Sequence, residues 1–340
     1  MTDPQTEVLI LTQDFDPTVD PVVRSLNAKG ARVVRLDLSY FPHRLSFTSS
    51  DFGDEFQVLR HRDGEIDREM DLGALAGVWY RRPTSFDFGT EMSRAEQEFS
   101  RYEALIGVGG ILRSTDCLWM NRPDLDAVAD LKPYQLTLAK RTGLRTPRTL
   151  LTNDPDQVAG LLEREDGKVV YKSLSGGVIH YPGAFPSGLF TTVIGDEARD
   201  HLGRVRHTTC QFQEYIEKAY EVRLTVIGNT YFPVVVDSQS NATTEVDWRA
   251  DTEMAYGDYR PLPDQVVKQT QALLDELGIV YAAVDFIVTP DGEYVFLEAN
   301  PNGQFMWMQN DLGLPMSDRI ADVLMKGERF RRGDVEQVGY

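Results

Sequence analysis

Cysteine is nearly missing from this chain: Cys117 and Cys210 are the only 2 among 340 residues. So few thiols exclude a disulfide-stapled secreted framework and point to a reducing, cytoplasmic setting. Positive charge is scarce as well. Lysine and arginine number 35 against 53 acidic residues, a formal net charge of −18. A surface of that sign repels polyanions, which argues against a nucleic acid or an anionic membrane as partner. It leaves room for a nucleotide or an acidic peptide, because local cations can oppose the global field. Long apolar runs are absent. None approaches the length that spans a bilayer, and Met1 to Thr12 lacks the basic segment and apolar core of a signal peptide. There are no internal repeats or low-complexity tracts. No Gly-x-Gly-x-x-Gly follows the first apolar run, which argues against a dinucleotide-dependent dehydrogenase. What the chain does have is core material, 41% apolar and 10% aromatic, at a length that predicts two or three packed subdomains.

The pattern along the first third is β-α-β. Val8-Leu9-Ile10-Leu11 reads as a buried strand. A helix follows around Asp20 to Lys29, with Pro21 in its first turn and Gly30 as its stop, and Ala31 to Leu36 is a second strand. Phe56 to Leu59 and Glu65-Ile66 form a meander around Asp63-Gly64. Gly77 to Tyr80 is a further strand, and Glu91 to Leu105 a helix. A new unit starts near Asp124, with a helix from Asp130 to Arg141 that tolerates Pro133 in its first turn. Strands at Thr149 to Thr152 and Val169 to Lys172 bracket a helix at Pro155 to Glu163. Strands at Cys210 to Ile216, Val222 to Ile227 and Tyr231 to Asp237 precede an amphipathic helix, Asp264 to Leu277, stopped by Gly278. The tail from Lys326 to Tyr340 is charged and is expected to be mobile.

The most informative stretch is Val284 to Asn300. Two apolar, β-branched and aromatic runs flank Thr289-Pro290-Asp291-Gly292, the pattern of a hairpin with a tight turn. Folding it back brings Asp285 near Glu298, and Asn300 shares a face with Glu298 two residues away. Three oxygen-bearing side chains converge, the ligation that a hard cation such as magnesium takes together with phosphates and water. The plain alternative is a pair of acids at strand ends in water. Three other features precede the hairpin. Lys132 stands at a helix start, where a surface lysine is most simply a solvated charge. Lys172 ends an apolar strand just before Gly176-Gly177, whose backbone N–H groups can approach an anion closely. The strand Gln213-Glu214-Tyr215-Ile216 can offer backbone hydrogen-bonding groups to an adenine edge.

In this order the features resemble the ATP-grasp enzymes from about Asp124 to Gly313, with an N-terminal region similar to their preceding domain. The wording is closest to one branch, the ATP-grasp ribosomal peptide maturases, or graspetide synthetases, which include the microviridin-type ligases. The strings that carry this are Val78-Trp79-Tyr80-Arg81-Arg82-Pro83, Gln135 to Ala139, Gly143 to Leu150, Asp247-Trp248-Arg249, and Glu298-Ala299-Asn300-Pro301-Asn302-Gly303-Gln304-Phe305-Met306-Trp307. The fold so implied is α/β (α+β). It comprises an open α/β pre-ATP-grasp domain at 1–123, a central ATP-grasp subdomain at 124–212, a C-terminal subdomain with the metal site at 213–325, and the tail at 326–340.

The resemblance implies roles. Lys132 and Lys172 contact phosphates, beside Gly176 and Gly177. Gln213 leads into the adenine hinge of Glu214, Tyr215 and Ile216, the last two acting mainly through backbone. Glu221 contacts the ribose, with Glu217 competing for that role. Arg223 lies on the phosphate side, and Asp285, Glu298 and Asn300 hold magnesium. Arg249 faces the activated carboxyl, so that Lys172, Arg223 and Arg249 are the catalytic cations. One of Arg81 and Arg82 receives acidic side chains of the substrate, unless both are strand-end surface charges. Trp307 lines the substrate cleft or simply packs, as Trp79, Tyr80 and Trp248 do. His180 has no assigned role, as a loop residue over the phosphates or a surface histidine.

The activity implied is ATP-dependent formation of side-chain ester or amide macrocycles in a ribosomally made precursor peptide. Its leader docks around Phe185 to His207, and the enzyme is a homodimer because relatives commonly pair. Two competing readings are a ligase that adds a free amino acid to a protein or small-molecule carboxylate, and a nucleotide-binding regulatory protein without turnover.

Overall fold

Val8, Leu9, Ile10 and Leu11 are fully buried, on both faces of their strand, the condition of a parallel sheet covered on two sides. The structure, a computed structural model, describes residues 6–52, 55–165, 168–183, 185, 187–250, 256–326, 330 and 332–339. The first region builds a parallel sheet from β1 (Glu7–Thr12), β2 (Arg32–Leu36), β6 (Leu75–Arg82) and β7 (Leu118–Met120), in the order β2-β1-β6-β7. Alternation along β1 divides its side chains. Val8 and Ile10 pack with Val22 and Leu26 of α1 (Asp20–Ala28) and with Ile320 and Leu324 of α8 (Met316–Leu324). Leu9 and Leu11 pack with the meander β3 (Leu45–Ser50), β4 (Phe56–Asp63) and β5 (Ile66–Asp71), and with α2 (Arg94–Arg113).

Helix α2 differs from the expectation of Glu91 to Leu105. It starts at Arg94, behind a capping box in which the Ser93 and Glu96 side chains each bond the other's backbone N–H. It then continues through Gly107, Gly109 and Gly110 to Arg113. Burial of Ala104, Val108 and Leu112 on one face outweighs the helix penalty of those glycines.

The central region carries α3 (Pro123–Ala129), α4 (Lys132–Arg141) and α5 (Pro155–Arg164), with an antiparallel sheet of β8 (Thr149–Thr152), β9 (Val169–Lys172), β12 (Thr192–Ile194) and β13 (Cys210–Glu214) in the order β12-β9-β13-β8. A small flap, β10 (Val178–Ile179) with β11 (Ser187–Gly188), projects after β9. The helix expected from Asp130 starts two residues later: Asp130 caps the end of α3, and α4 has Lys132 as its first residue. The stretch expected to dock a leader folds as a 3-10 helix, Asp196–His207, against α5. β13 runs to Glu214, so the central sheet reaches past residue 212.

The last region is a second sheet, β17-β16-β14-β15-β18, of β14 (Tyr220–Ile227), β15 (Thr230–Val236), β16 (Tyr281–Val288), β17 (Tyr294–Asn300) and β18 (Glu336–Gln337). Helices α4 and α6 (Asp264–Leu277) bury one face of it, and the other face meets α7 (Met306–Leu312) and the N-terminal sheet. The tail is a correction to the mobile segment expected. β18 pairs in parallel with β15, Val338 packs into the shared core, and the Gln337 side chain bonds both the N–H and the carbonyl of Leu262.

Candidate nucleotide and metal site

The hairpin forms as its sequence predicts. Gly292, at φ +86°, donates to the Thr289 carbonyl to close the turn. A regular ladder counted back from the turn would set Asp285 opposite Leu297. A bulge between Asp285 and Phe286 moves the register by one residue, and Asp285 lies opposite Glu298. Both carboxylates are buried, at 9% and 8% exposure. Burying two like charges side by side requires cations, and each acid has its own. Arg223, one strand over on β14, donates from Nη1 to both Asp285 oxygens at 2.9 Å. Glu298 is bonded by Lys132 and lies 3.6 Å from the Lys172 ammonium. The lysines arrive from two other elements, the N-terminus of α4 and the end of β9.

Lys172, Asp285 and Glu298 line a cleft between the central and C-terminal sheets, while Lys132 and Arg223 lie outside its lining. Val170, Ile216, Ile287 and Leu297 make an apolar slot in it, with Gln213, Glu214 and Tyr215 along one wall. β13 stops at Glu214, so Tyr215 and Ile216 lie beyond the ladder. The Glu214 carboxylate is held by the Arg148 backbone N–H at 2.9 Å and its Nε at 2.6 Å. A second cavity adjoins the first and shares Lys172, Thr191, Arg249 and Glu298 with it. It adds Lys132, Asn300, Gly176 and Gly177. Gly177, at φ +67°, has the Leu189 carbonyl 2.6 Å from where a Cβ would stand, so only glycine lets the flap fold back over this end.

Burial and the neighbouring charges of Lys132 and Arg249 lower Lys172 to about 8. Burial likewise lowers Lys132, against the pull of Asp285. Arg249 forms a two-pronged pair with Asp247, at 2.9 and 2.8 Å. Burial pushes Asp247 up, but the hydrogen bond and charge of Arg249 outweigh it and hold the carboxyl below the usual range. The cations Lys132, Lys172, Arg223 and Arg249 thus face Asp285, Glu298 and Asp247, one positive charge in excess inside an acidic protein.

The remaining expected residues divide. Glu221 lines the cleft, buried, while Glu217 is exposed and outside it. Arg81 is buried, and both Arg81 and Arg82 donate to the Asn302 carbonyl, at 2.6 and 2.8 Å. Adjacent residues of a strand point to opposite faces, yet these long side chains converge on one oxygen. Arg81 also bonds Gln304, so it holds a loop of its own chain. Trp307 packs its ring 4.5 Å from Tyr256 and lines neither cavity, whereas Trp248 does line the cleft. His180 is exposed and lines neither cavity.

Sequence reasoning missed Lys218, which donates to Glu221 at 2.7 Å and to the Val246 carbonyl, and Asp247, the partner of Arg249. A Lys–Glu pair three residues apart looks in sequence like a solvated pair, and nothing local signals its burial.

Among the described residues no group of three or more His, Cys, Asp or Glu side chains is gathered for a metal. The donors present are the Asp285 and Glu298 carboxylates and the Asn300 amide. That all-oxygen set fits a magnesium ion which completes its shell with phosphate and water, and does not fit an all-protein cage.

The comparisons agree with this geometry. Residues 7–126 match the family model of the MvdD pre-ATP grasp domain. The chain is similar to a Chryseobacterium gregarium RiPP-associated ATP-grasp ligase solved with ADP and a leader and core peptide. That likeness is 28% identical with TM-score 0.85, over 98% of this chain and 100% of that one. It is also similar to the macrocyclase MdnC of Microcystis aeruginosa MRC, solved with the precursor peptide MdnA, at 28% identity and TM-score 0.80, over 94% of this chain and 99% of that one. The ATP-grasp ligase PsnB, at 21% identity and TM-score 0.70 over 95% and 99% of the two chains, shares the fold. Comparison with curated proteins gives no match. With this fold running nearly the full length of both ligases, and the acids of one hairpin facing lysines from two other elements, the chain has the ATP-grasp ligase fold and is similar along that length to a RiPP-associated ligase and a macrocyclase.

Proposed function

We propose that this protein closes side-chain ester or amide macrocycles in a ribosomally made precursor peptide, using ATP to activate a carboxylate. The observation that carries the reading is the meeting of Lys132 and Lys172 at Glu298, opposite Asp285, at the end of an apolar slot. The slot takes the adenine, with backbone groups of Tyr215 and Ile216 at its edge, and Glu221 meets the ribose. Lys132, Lys172 and Arg223 hold the triphosphate, under the loop of Gly176 and Gly177. Asp285, Glu298 and Asn300 would hold magnesium, which when bound neutralises phosphate charge.

A substrate carboxylate oxygen attacks the γ-phosphorus, the bond to ADP breaks, and an acyl phosphate forms. A hydroxyl or amine of the same peptide then attacks the acyl carbon, loses its proton, and phosphate leaves. Arg249, fixed by Asp247, stabilises the oxyanion that develops. The flap β10–β11 closes the phosphate end against water, which would otherwise hydrolyse the acyl phosphate.

Two features support a peptide substrate. The Chryseobacterium ligase and MdnC are both solved with leader or precursor peptides. Here Val178, Ile179, Tyr181, Leu189 and Phe190 stand exposed around the flap, apolar surface that a leader helix or strand can cover. For the homodimer, support comes from α2. Phe99, Tyr102, Leu105 and Ile106 lie exposed on it, with Ile106 at 73%. A second copy of the chain covers this weakly charged stripe. The free thiols of Cys117 and Cys210 support a cytoplasmic site of action. The test is mass spectrometry of the precursor peptide after incubation with the protein, ATP and magnesium. Loss of one water per ring is expected; unchanged peptide mass with a verified partner overturns the reading.

A further inference from the structure

The loop that follows β17 is held more tightly than any hairpin exit requires. Each carbonyl from Pro301 to Gln304 accepts a hydrogen bond from a different part of the fold. Asn121 takes Pro301 at 3.2 Å, Arg81 and Arg82 take Asn302, the Tyr281 hydroxyl takes Gly303 at 2.7 Å, and Arg223 reaches Gln304 at 3.5 Å. Gly303 is pressed so close that a Cβ there would stand 2.2 Å from the Ala283 Cβ. The loop lies against the carboxyl ends of β1 and β6, where Thr18 also donates to Gln304. An open α/β sheet ordinarily presents that crevice to a ligand. Here the chain's own loop fills it.

Asn302 is the centre of this clamp. Its carbonyl takes both arginines, its Nδ2 donates to Asp126 Oδ2 at 2.8 Å, and its backbone N–H donates to Asn300 Oδ1 at 2.9 Å. The last bond decides chemistry. A backbone N–H can be accepted only by the amide oxygen, so it fixes which end of the Asn300 carboxamide is Oδ1 and where that oxygen points. An amide ligates a hard cation only through that oxygen.

We propose that Asn302 is a positioning residue for the metal site. It orients the Asn300 oxygen and is itself located by Arg81, Arg82 and Asp126, so that the N-terminal domain sets the geometry of a ligand carried by the C-terminal sheet. The inference rests on the nucleotide and metal reading above. It also gives Arg81 and Arg82 a task other than receiving substrate.

The experiment measures Mn²⁺ affinity by electron paramagnetic resonance in the presence of ADP, and ADP affinity without metal by calorimetry, on the full-length protein. Asn302→Ala loses the Asp126 bond, and Arg82→Ala, at an exposed position, loosens the carbonyl clamp without disturbing the core. Each is expected to weaken Mn²⁺ binding, with Asn302→Ala costing about 10- to 100-fold, while ADP affinity without metal holds. The swap Asn302→Asp with Asp126→Asn reverses donor and acceptor across the same contact and is expected to restore Mn²⁺ binding that Asn302→Asp alone loses. Wild-type Mn²⁺ affinity in both Asn302→Ala and Arg82→Ala overturns the proposal. Wild-type protein that binds ADP but no Mn²⁺ overturns the metal reading itself and this proposal with it, a separate outcome.

Discussion

Gln135 bonds Ala299 as a neighbouring strand would: its Oε1 accepts the Ala299 N–H at 2.9 Å and its Nε2 donates to the Ala299 carbonyl at 2.7 Å. Ala299 lies between Glu298 and Asn300, and Gln135 lies one helical turn from Lys132 on α4. One side chain therefore docks the lysine-bearing helix onto the acid-bearing strand edge. Gln135→Met keeps the volume and leaves both backbone groups of Ala299 buried without partners. A loss of about 2–4 kcal/mol is expected, read from urea unfolding, together with weaker ADP binding as Lys132 drifts from Glu298.

The Asp285–Arg223 pair separates stability from turnover. Asp285→Ala leaves the Arg223 guanidinium buried without its counter-charge, since both Nη1 contacts go to Asp285. Destabilisation of about 3–5 kcal/mol is expected. Asp285→Asn keeps an acceptor and the volume, so it is expected to fold yet release no ADP when peptide is added. A folded Asp285→Asn with wild-type ADP release contradicts the site.

Arg249 is predicted to act on the reacting carboxyl and to contribute little to nucleotide binding. Arg249→Lys retains charge but loses the two-pronged pairing with Asp247 that aims it. A fall in kcat of about 10²–10³, the scale of a lost oxyanion donor, is expected with ADP affinity preserved. Steady-state kinetics and calorimetry on one preparation check both.

Asp126 makes stability depend on pH. Burial pushes its carboxyl up to about 7, with Asp130 adding to the rise while bonds from Asn121 and Asn302 and the Arg81 charge oppose it. The folded chain keeps a proton that the unfolded chain releases near pH 4. The contribution to stability is therefore complete below about pH 4, declines as pH rises to about 7, and is lost above, by on the order of 4 kcal/mol. Asp126→Asn removes this decline. The difference in unfolding free energy between variant and wild type is expected to grow from pH 5 to pH 8; a constant difference contradicts it.

The α2 stripe is checked by charge. Ile106→Glu places a carboxylate in the centre of an exposed apolar face and disturbs no buried contact. Light scattering is expected to give a monomer for the variant and a dimer for wild type. Equal masses rule out this face.

The elements themselves were legible in sequence. Thr149–Thr152, Val169–Lys172 and Asp264–Leu277 form over the residues predicted, because turn signals and periodicity mark their ends locally. The start of α2 was read three residues early, at Glu91, although the Ser93–Glu96 capping box that sets it is local; its far end was not local, since glycines stop a helix unless a partner face is waiting. The charged tail was misread for the same reason: β18 exists only because the β15 edge is there to pair with it.

Sequence alone supplied the chemistry of the site: which acids, lysines and arginines are present, and that Asp285, Glu298 and Asn300 belong to one hairpin. Only the tertiary structure decided how they meet. The bulge in the hairpin sets Glu298 and not Leu297 against Asp285, and Lys132 and Lys172 reach it from elements 166 and 126 residues away along the chain. Local preference fixes an element because its hydrogen bonds close within a few residues. A buried charge has no local preference at all: its position is set by the counter-charge that the rest of the fold can bring to it.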